Sequence, residues 1–276
     1  MSMHHVSRLP SRLATAAVLA SLALVGCQSV QTTQSGTVGI DRQQRVFSMV
    51  SSEQLDSEAA TLYQKTLSEA QTQRALNTNA AELARVRNIS QRLIAQVGTF
   101  RQDAAAWKWE VNVINSDEVN AWCMPGGKIA VYSGLLQKVQ PTDDELAAVI
   151  GHEIAHALRE HSRERVSQQM ATGLGLNVLS AVTGSQLSTD VAGKLADVTF
   201  NLPNSRTHET EADRIGVELA ARAGFDPRAA ITLWTKMEKA GGGGQPEFLS
   251  THPSPASRIA DLQQASARVL PLYQPK

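Results

Sequence analysis

Residues 147–161, AAVIGHEIAHALREH, place His152, Glu153 and His156 inside a run of small and aliphatic residues. In an α-helix, residues four apart differ by about 40° in direction and about 6 Å in height, so the two imidazoles present themselves to one point. Glu153 lies about 100° from the first and about 60° from the second, beside the pair instead of in it. Two neutral imidazoles with a flanking carboxylate form the H-E-x-x-H arrangement, which grips zinc and sets a proton acceptor next to it. Zinc lowers the pKa of a water it binds from about 16 to about 7, so hydroxide becomes available to attack an amide carbonyl. A solvated histidine face fits poorly, because Ala155 and Ala157 leave the segment apolar all round. Burying these three side chains without a partner would be unfavourable.

A catalytic zinc site needs a third protein ligand and an open position. The extension of the motif that supplies a third histidine would need glycine at 159 and histidine at 162, but Arg159 and Ser162 stand there. His161 would lie about 140° from His156 around a continued helix and reads as a helix-end histidine. The stretch SRTHETEADRIG, 205–216, puts Glu209 and Asp213 on one helical face, where one could bind metal and the other orient a ligand imidazole. Glu211 points away from that face. The same acids would suit the start of a solvated helix, favoured by its dipole, and spacing leaves both readings open. His252, in a loop before Pro253, could reach the metal as a fourth ligand, donate to a developing oxyanion, or sit on the surface.

The elements that must position these residues are mostly helices. Helical periodicity predicts helices over 52–75 and 79–97, the second with a stripe of Leu83, Val86, Leu93 and Val97 widened by Ile89 and Ile94. Thr142 and Glu145 form a capping box for the helix that carries His152 and His156. Further helices are expected over 164–183 and 188–200, separated by TGSQ, and from Thr207 to Arg222, stopped by Gly224. Asp226-Pro227 opens another, ended by the glycine run 241–244, and Ser254-Pro255 starts the last. WKWEVNV alternates as a strand with Trp107, Trp109, Val111 and Val113 on one face. VNAWCMP and KIAVYSG read as a hairpin joined at Gly126-Gly127. The expected fold is α+β, mostly helical, with a small three-stranded sheet beside the metal-binding helix.

The chain has 276 residues, with 26 basic against 26 acidic, which excludes the basic excess of a nucleic-acid binder. Arg8 and Arg12 precede an apolar stretch from Leu13 to Val25 that ends in LVGC at Cys27. Thirteen residues rise only about 20 Å, too short for a bilayer core of about 30 Å, so residues 1–26 read as a secretory signal. The ending resembles the bacterial lipobox, with Cys27 as the lipidated residue and a stable membrane anchor as the consequence. Residues 27–50 are then the lipidated cysteine and a flexible tether, the stretch 28–42 being polar, and 51–270 a single domain. With Cys27 modified, Cys123 alone remains as a buried small hydrophobe and no intrachain disulfide forms.

H-E-x-x-H at 152–156 followed by Ser205-Arg206-x-x-Glu209-x-Glu211-Ala212-Asp213 resembles peptidase family M48, zinc metallopeptidases of the gluzincin type. NAWCMPGGKIAVYSGLL, 120–136, and THPSPASRI, 251–259, are similar to that family's edge strand with hairpin and its late His-Pro segment. The resemblance implies a zincin-type domain holding one zinc ion per chain, with His152, His156 and Glu209 as ligands, Glu153 as general base and Asp213 behind a ligand. It also implies a self-inhibitory role for His252. Asn120 and Ala121 would lie on an exposed edge strand that pairs a substrate backbone. The lipobox makes the chain most similar to the periplasmic, lipid-anchored members. The expected function is cleavage of unfolded or misassembled envelope proteins at the periplasmic face of the outer membrane, possible partners including the outer-membrane assembly machinery. The alternative is a zinc-containing chaperone or assembly factor for outer-membrane proteins without significant proteolysis.

Overall fold

The computed structural model describes residues 26–180, 190–240, 247–253 and 256–275. The secretory signal expected over 1–26 therefore lies outside the described residues except for Gly26, as do the TGSQ linker, the glycine run 241–244 and Ser254-Pro255. Two short strands, β1 (Cys27–Val30) and β2 (Gln44–Phe47), pair antiparallel. Helices α1 (Ser52–Thr72) and α2 (Ala80–Ile94) follow, then β3 (Glu110–Ile114), β4 (Ala121–Met124) and β5 (Lys128–Tyr132). The rest is helical: α3 (Asp143–Leu158), α4 (His161–Ser180), α5 (Val191–Ala196), α6 (Arg206–Arg222), α7 (Ala229–Ala240), α8 (Glu247–Thr251) and α9 (Ala256–Val269). This is the expected mostly helical α+β fold. Among the described residues, no helix is long and apolar enough to cross a membrane.

The second sheet has the order β3-β5-β4, with β5 parallel to β3 and antiparallel to β4. The expected hairpin turns at Gly126 and Gly127, both at positive φ. At Gly127 a side chain is also excluded sterically, because a Cβ there would lie 2.6 Å from the Trp109 ring. The strand expected from Trp107 starts only at Glu110, since a 3₁₀ turn over Asp103–Ala106 runs up to Trp107. The two tryptophans instead lean on each other with ring centroids 5.4 Å apart, and Trp109 Nε1 donates to the Ala104 carbonyl.

The flexible tether expected over 27–50 is corrected by the structure. Val38, Ile40, Val46, Phe47 and Val50 are buried, and the Gln34 amide donates to the Phe100 carbonyl. These five residues are diluted among polar ones, and four of them, Val38, Ile40, Phe47 and Val50, join core clusters built from elements far along the chain, so composition alone hides them. Cys27 itself is exposed at the start of β1.

Helix α3 is the centre of the core, buried from Glu145 to Leu158. The capping box holds it: Glu145 N donates to Thr142 Oγ1 at 3.3 Å and Thr142 N donates to Glu145 Oε2 at 2.8 Å. Burial on every side explains why, past its acidic first turn, the helix has no polar residues apart from the site. Its widest neighbour is α6, and glycines let the two backbones approach. A Cβ on Gly151 would lie 3.0 Å from the Gly216 carbonyl oxygen, and one on Gly216 would lie 2.8 Å from the His152 nitrogen. That close crossing brings the acids of α6 within reach of the histidines of α3.

Candidate metal centre

One face of α3 presents His152 and His156, one turn apart as their spacing requires. Ser205 caps α6 through its Oγ to the His208 amide, and the first turn of that helix delivers Glu209. His252 arrives at the end of α8, in the segment that follows Phe248 and stacks on that ring at 4.4 Å. His152, His156, Glu209 and His252 are all buried, and one ligand atom from each lies within 4.8 Å of the others.

The protons of the two helix histidines are fixed from behind. His152 Nδ1 lies 3.0 Å from Asp213 Oδ1, so it donates to that carboxylate and leaves Nε2 bare. His156 Nδ1 lies 2.9 Å from His161 Nδ1, whose Nε2 is 3.1 Å from Glu211 Oε2. Burial holds both His156 and His161 neutral, their pKa values well below the usual range. His161 must therefore donate from Nε2 to Glu211 and accept at Nδ1, so His156 donates from Nδ1 and its Nε2 is bare too. The two bare Nε2 atoms face each other at 3.1 Å. Two lone pairs at that distance repel unless a cation sits between them and the Glu209 carboxylate, whose oxygens lie 3.4 Å from His156 Nε2 and 3.5 Å from His152 Nε2.

The carboxylates add to this demand for positive charge. Burial would raise Glu209, but His252 and His156 outweigh it and hold the carboxyl well below its usual range. Arg258 Nη1 lies 2.7 Å from Glu209 Oε2 but off the hydrogen-bond direction, so that oxygen is buried without a hydrogen-bond donor. Burial opposes a proton on His252 as well, yet Glu209 and Glu153 raise its pKa. Glu153 is pushed up by burial, and its Oε1 is also buried without a hydrogen-bond partner, 3.5 Å from His252 Nε2. Two imidazoles and a carboxylate around bare lone pairs are the donor set of a catalytic zinc site, so the residues present fit the ion.

Among the described residues β4 pairs with β5 alone and is an edge of its sheet, but the exposed edge expected at Asn120 and Ala121 is covered: Asn120 is half-buried and all of Ala121–Met124 is buried. Asn120, Ala121 and Cys123 line a cavity of about 30 Å³ shared with Glu153, His156 and His252. That leaves room for water but not for a peptide.

Three functional neighbours, His161, Glu211 and Arg258, escape sequence reasoning. His161 does not lie on a continuation of α3: that helix ends at Leu158, and Glu160 at φ 50° turns the chain so that α4 starts by swinging His161 back onto His156. Glu211 does face away from the metal side, but it reaches the site's rear through His161. Arg258 donates to both Asp213 oxygens and lies 3.9 Å over the Trp234 ring. A buried arginine two turns past a loop histidine has no local signature that would single it out.

The family model for peptidase family M48 matches residues 80–266. The chain is 42% identical over 158 residues to the mitochondrial metalloendopeptidase OMA1 of Arabidopsis thaliana, covering 57% of this chain and 32% of that protein. It is 37% identical over 175 residues to the OMA1 protein of Saccharomyces cerevisiae, covering 60% of this chain and 50% of the relative. It is 31% identical over 170 residues to the beta-barrel assembly-enhancing protease of Escherichia coli, covering 58% of this chain and 35% of the relative. The chain thus spans about a third to a half of these relatives' lengths. With a match that runs from α2 through most of α9 and includes every residue of the buried cluster, the chain belongs to peptidase family M48.

Proposed function

We propose that this chain is a zinc-dependent endopeptidase of the bacterial envelope that cleaves unfolded or misassembled proteins. The observation that carries the reading is the pair of bare Nε2 atoms on His152 and His156, set against Glu209 with Glu153 alongside. His152, His156 and Glu209 would hold the zinc ion, and Asp213 and His161 keep the imidazoles in the ligating tautomer. Bound there, zinc would supply Lewis acidity toward a water and the scissile carbonyl. Glu153 takes the proton from the attacking water and passes it to the leaving amine, a role that its raised pKa favours. Once uncovered, the edge of β4 at Asn120 and Ala121 would pair an extended substrate through its backbone, which selects unfolded chains over a particular sequence.

In the arrangement seen here the site is closed. His252 stands among the donors as a fourth ligand, and the cavity beside β4 has no room for a substrate. Substrate entry therefore requires the segment that carries His252 to withdraw. Residues 51–270 form the metallopeptidase domain, with 27–50 packed against it and sharing its core. Cys27, exposed at the start of β1, carries the lipid that holds the protein to the periplasmic face of the outer membrane. The likeness to a protein named as a beta-barrel assembly-enhancing protease supports an association with outer-membrane assembly.

The four-donor cluster also favours a second reading, a zinc-containing assembly factor whose closed site never cleaves. Casein digestion separates the two. Wild type should cleave, a chelator should stop it, and Glu153→Gln should keep its metal while losing at least about 100-fold in rate. Equal rates for metal-loaded wild type and Glu153→Gln would leave only the second reading. The anchor is tested by palmitate incorporation, which Cys27→Ser should abolish.

A further inference from the structure

Residues 26–50 precede the region matched by the family, yet they supply a side chain to the rear of the metal centre. The Arg42 guanidinium donates to Glu211 from Nε at 2.5 Å and Nη2 at 3.1 Å, and to Glu164 from Nη1 at 2.8 Å and Nη2 at 2.9 Å. Arg159, wholly buried just past the metal helix, donates to Glu211 at 3.0 Å, to Thr33 Oγ1 at 3.1 Å and to the Arg42 carbonyl at 2.9 Å. Glu211 also accepts from His161, which accepts from His156. Only Glu211 and His161 therefore separate Arg42 from a histidine of the cluster.

We propose that residues 26–50 are a strap across the back of the metal centre, and that Arg42 is a positioning residue acting through Glu211 and His161 on His156. The chemistry is a matter of one proton. With Glu211 pinned by two guanidinium groups, its Oε2 faces His161 Nε2 and keeps the hydrogen there. If Glu211 turns away, His161 is free to carry the hydrogen on Nδ1. His156 Nδ1 must then become the acceptor, and its hydrogen moves to Nε2, where it blocks the metal. Lysine would not serve in place of Arg42, because one ammonium cannot span both carboxylates in the way that a planar fork does. Plain packing predicts something else: loss of Arg42 would lower stability and leave metal affinity untouched.

The inference rests on the metal reading above, and the test separates the two. The full-length chain in detergent is titrated with zinc against a chromophoric chelator, and with cobalt to follow the absorption of the bound ion. His161→Phe, which keeps a ring against His208 but no nitrogen, should weaken zinc binding about 10- to 100-fold. Arg42→Lys should weaken it about tenfold and perturb the cobalt spectrum. In the His161→Phe background, Arg42→Lys should cost nothing more, because both act through the same proton. A less than twofold change for Arg42→Lys in wild type, or full independent losses in the double variant, would overturn the strap. So would a lowered melting temperature of metal-free Arg42→Lys with unchanged zinc affinity. A wild type that binds neither ion would instead remove the metal reading, and the strap with it.

Discussion

His152 Nε2 and His156 Nε2 stand 3.1 Å apart with both hydrogens on the far side of the rings, one held by Asp213 and the other by His161. The arrangement is stable only around a positive charge. Ion removal should therefore destabilise the fold. At about a thousandfold excess over its dissociation constant, a ligand of the native state contributes about 4 kcal/mol. For a domain of this size that is about 10 °C in melting temperature. Melting in the presence of a chelator should show that drop in wild type and none in His152→Ala. Equal sensitivity of the two would mean that the chelator acts elsewhere.

Gly216→Ala probes how closely α3 and α6 must cross. The new methyl would lie 2.8 Å from the His152 nitrogen, a backbone atom that cannot swing aside. The helices must separate, at about 1–3 kcal/mol, and Glu209 moves away from the imidazoles. Urea unfolding should show the loss, and chelator competition should show weaker zinc binding. Unchanged affinity would show that the ligands tolerate a wider crossing.

His252→Ala tests the closed state. With Nδ1 at 3.2 Å from His152 Nε2 and 3.1 Å from Glu209 Oε1, His252 stands where the proposed reaction would bring a substrate carbonyl. Its removal should leave zinc bound through three ligands and raise casein cleavage several-fold. A loss of cleavage with zinc retained would assign it to the oxyanion instead.

The pairing of His152 with His156 was legible because helices repeat; spacing also put Glu209 and Asp213 on one face but left their role open, and only the resemblance to the family singled out Glu209. The capping box at Thr142 and the Gly126-Gly127 hairpin were legible for the same reason, being local. His161 was not, because its place depends on a break at Glu160, a residue with no glycine-like signature for a left-handed turn. Arg42, Glu211 and Arg258 were hidden differently. Their partners lie 122, 169, 50 and 45 residues away in sequence, and only the tertiary fold pairs them. The polar composition of 27–50 suggests a tether, although Val38, Ile40, Val46, Phe47 and Val50 are buried.

Glu164 sets an acid limit on the strap. Burial would raise its carboxyl, but hydrogen bonds from His208, Arg42 and the Arg45 amide outweigh that and bring it from 4.5 to about 2. A pKa depressed by folding contributes stability above the unfolded value and loses it as pH falls toward the folded one. The gap in urea midpoint between wild type and Glu164→Gln should therefore be constant above about pH 5 and shrink steadily below about pH 4. A gap that does not change with pH would mean that the carboxylate gains nothing from its partners.

The central claim is that His152, His156 and Glu209 share one divalent ion, and elemental analysis after exhaustive dialysis tests it most directly. One zinc per chain in wild type and in Glu153→Gln, with little or none in His152→Ala, His156→Ala and Glu209→Ala, is the predicted result. Metal-free wild type, or zinc undiminished in the three ligand variants, would contradict it.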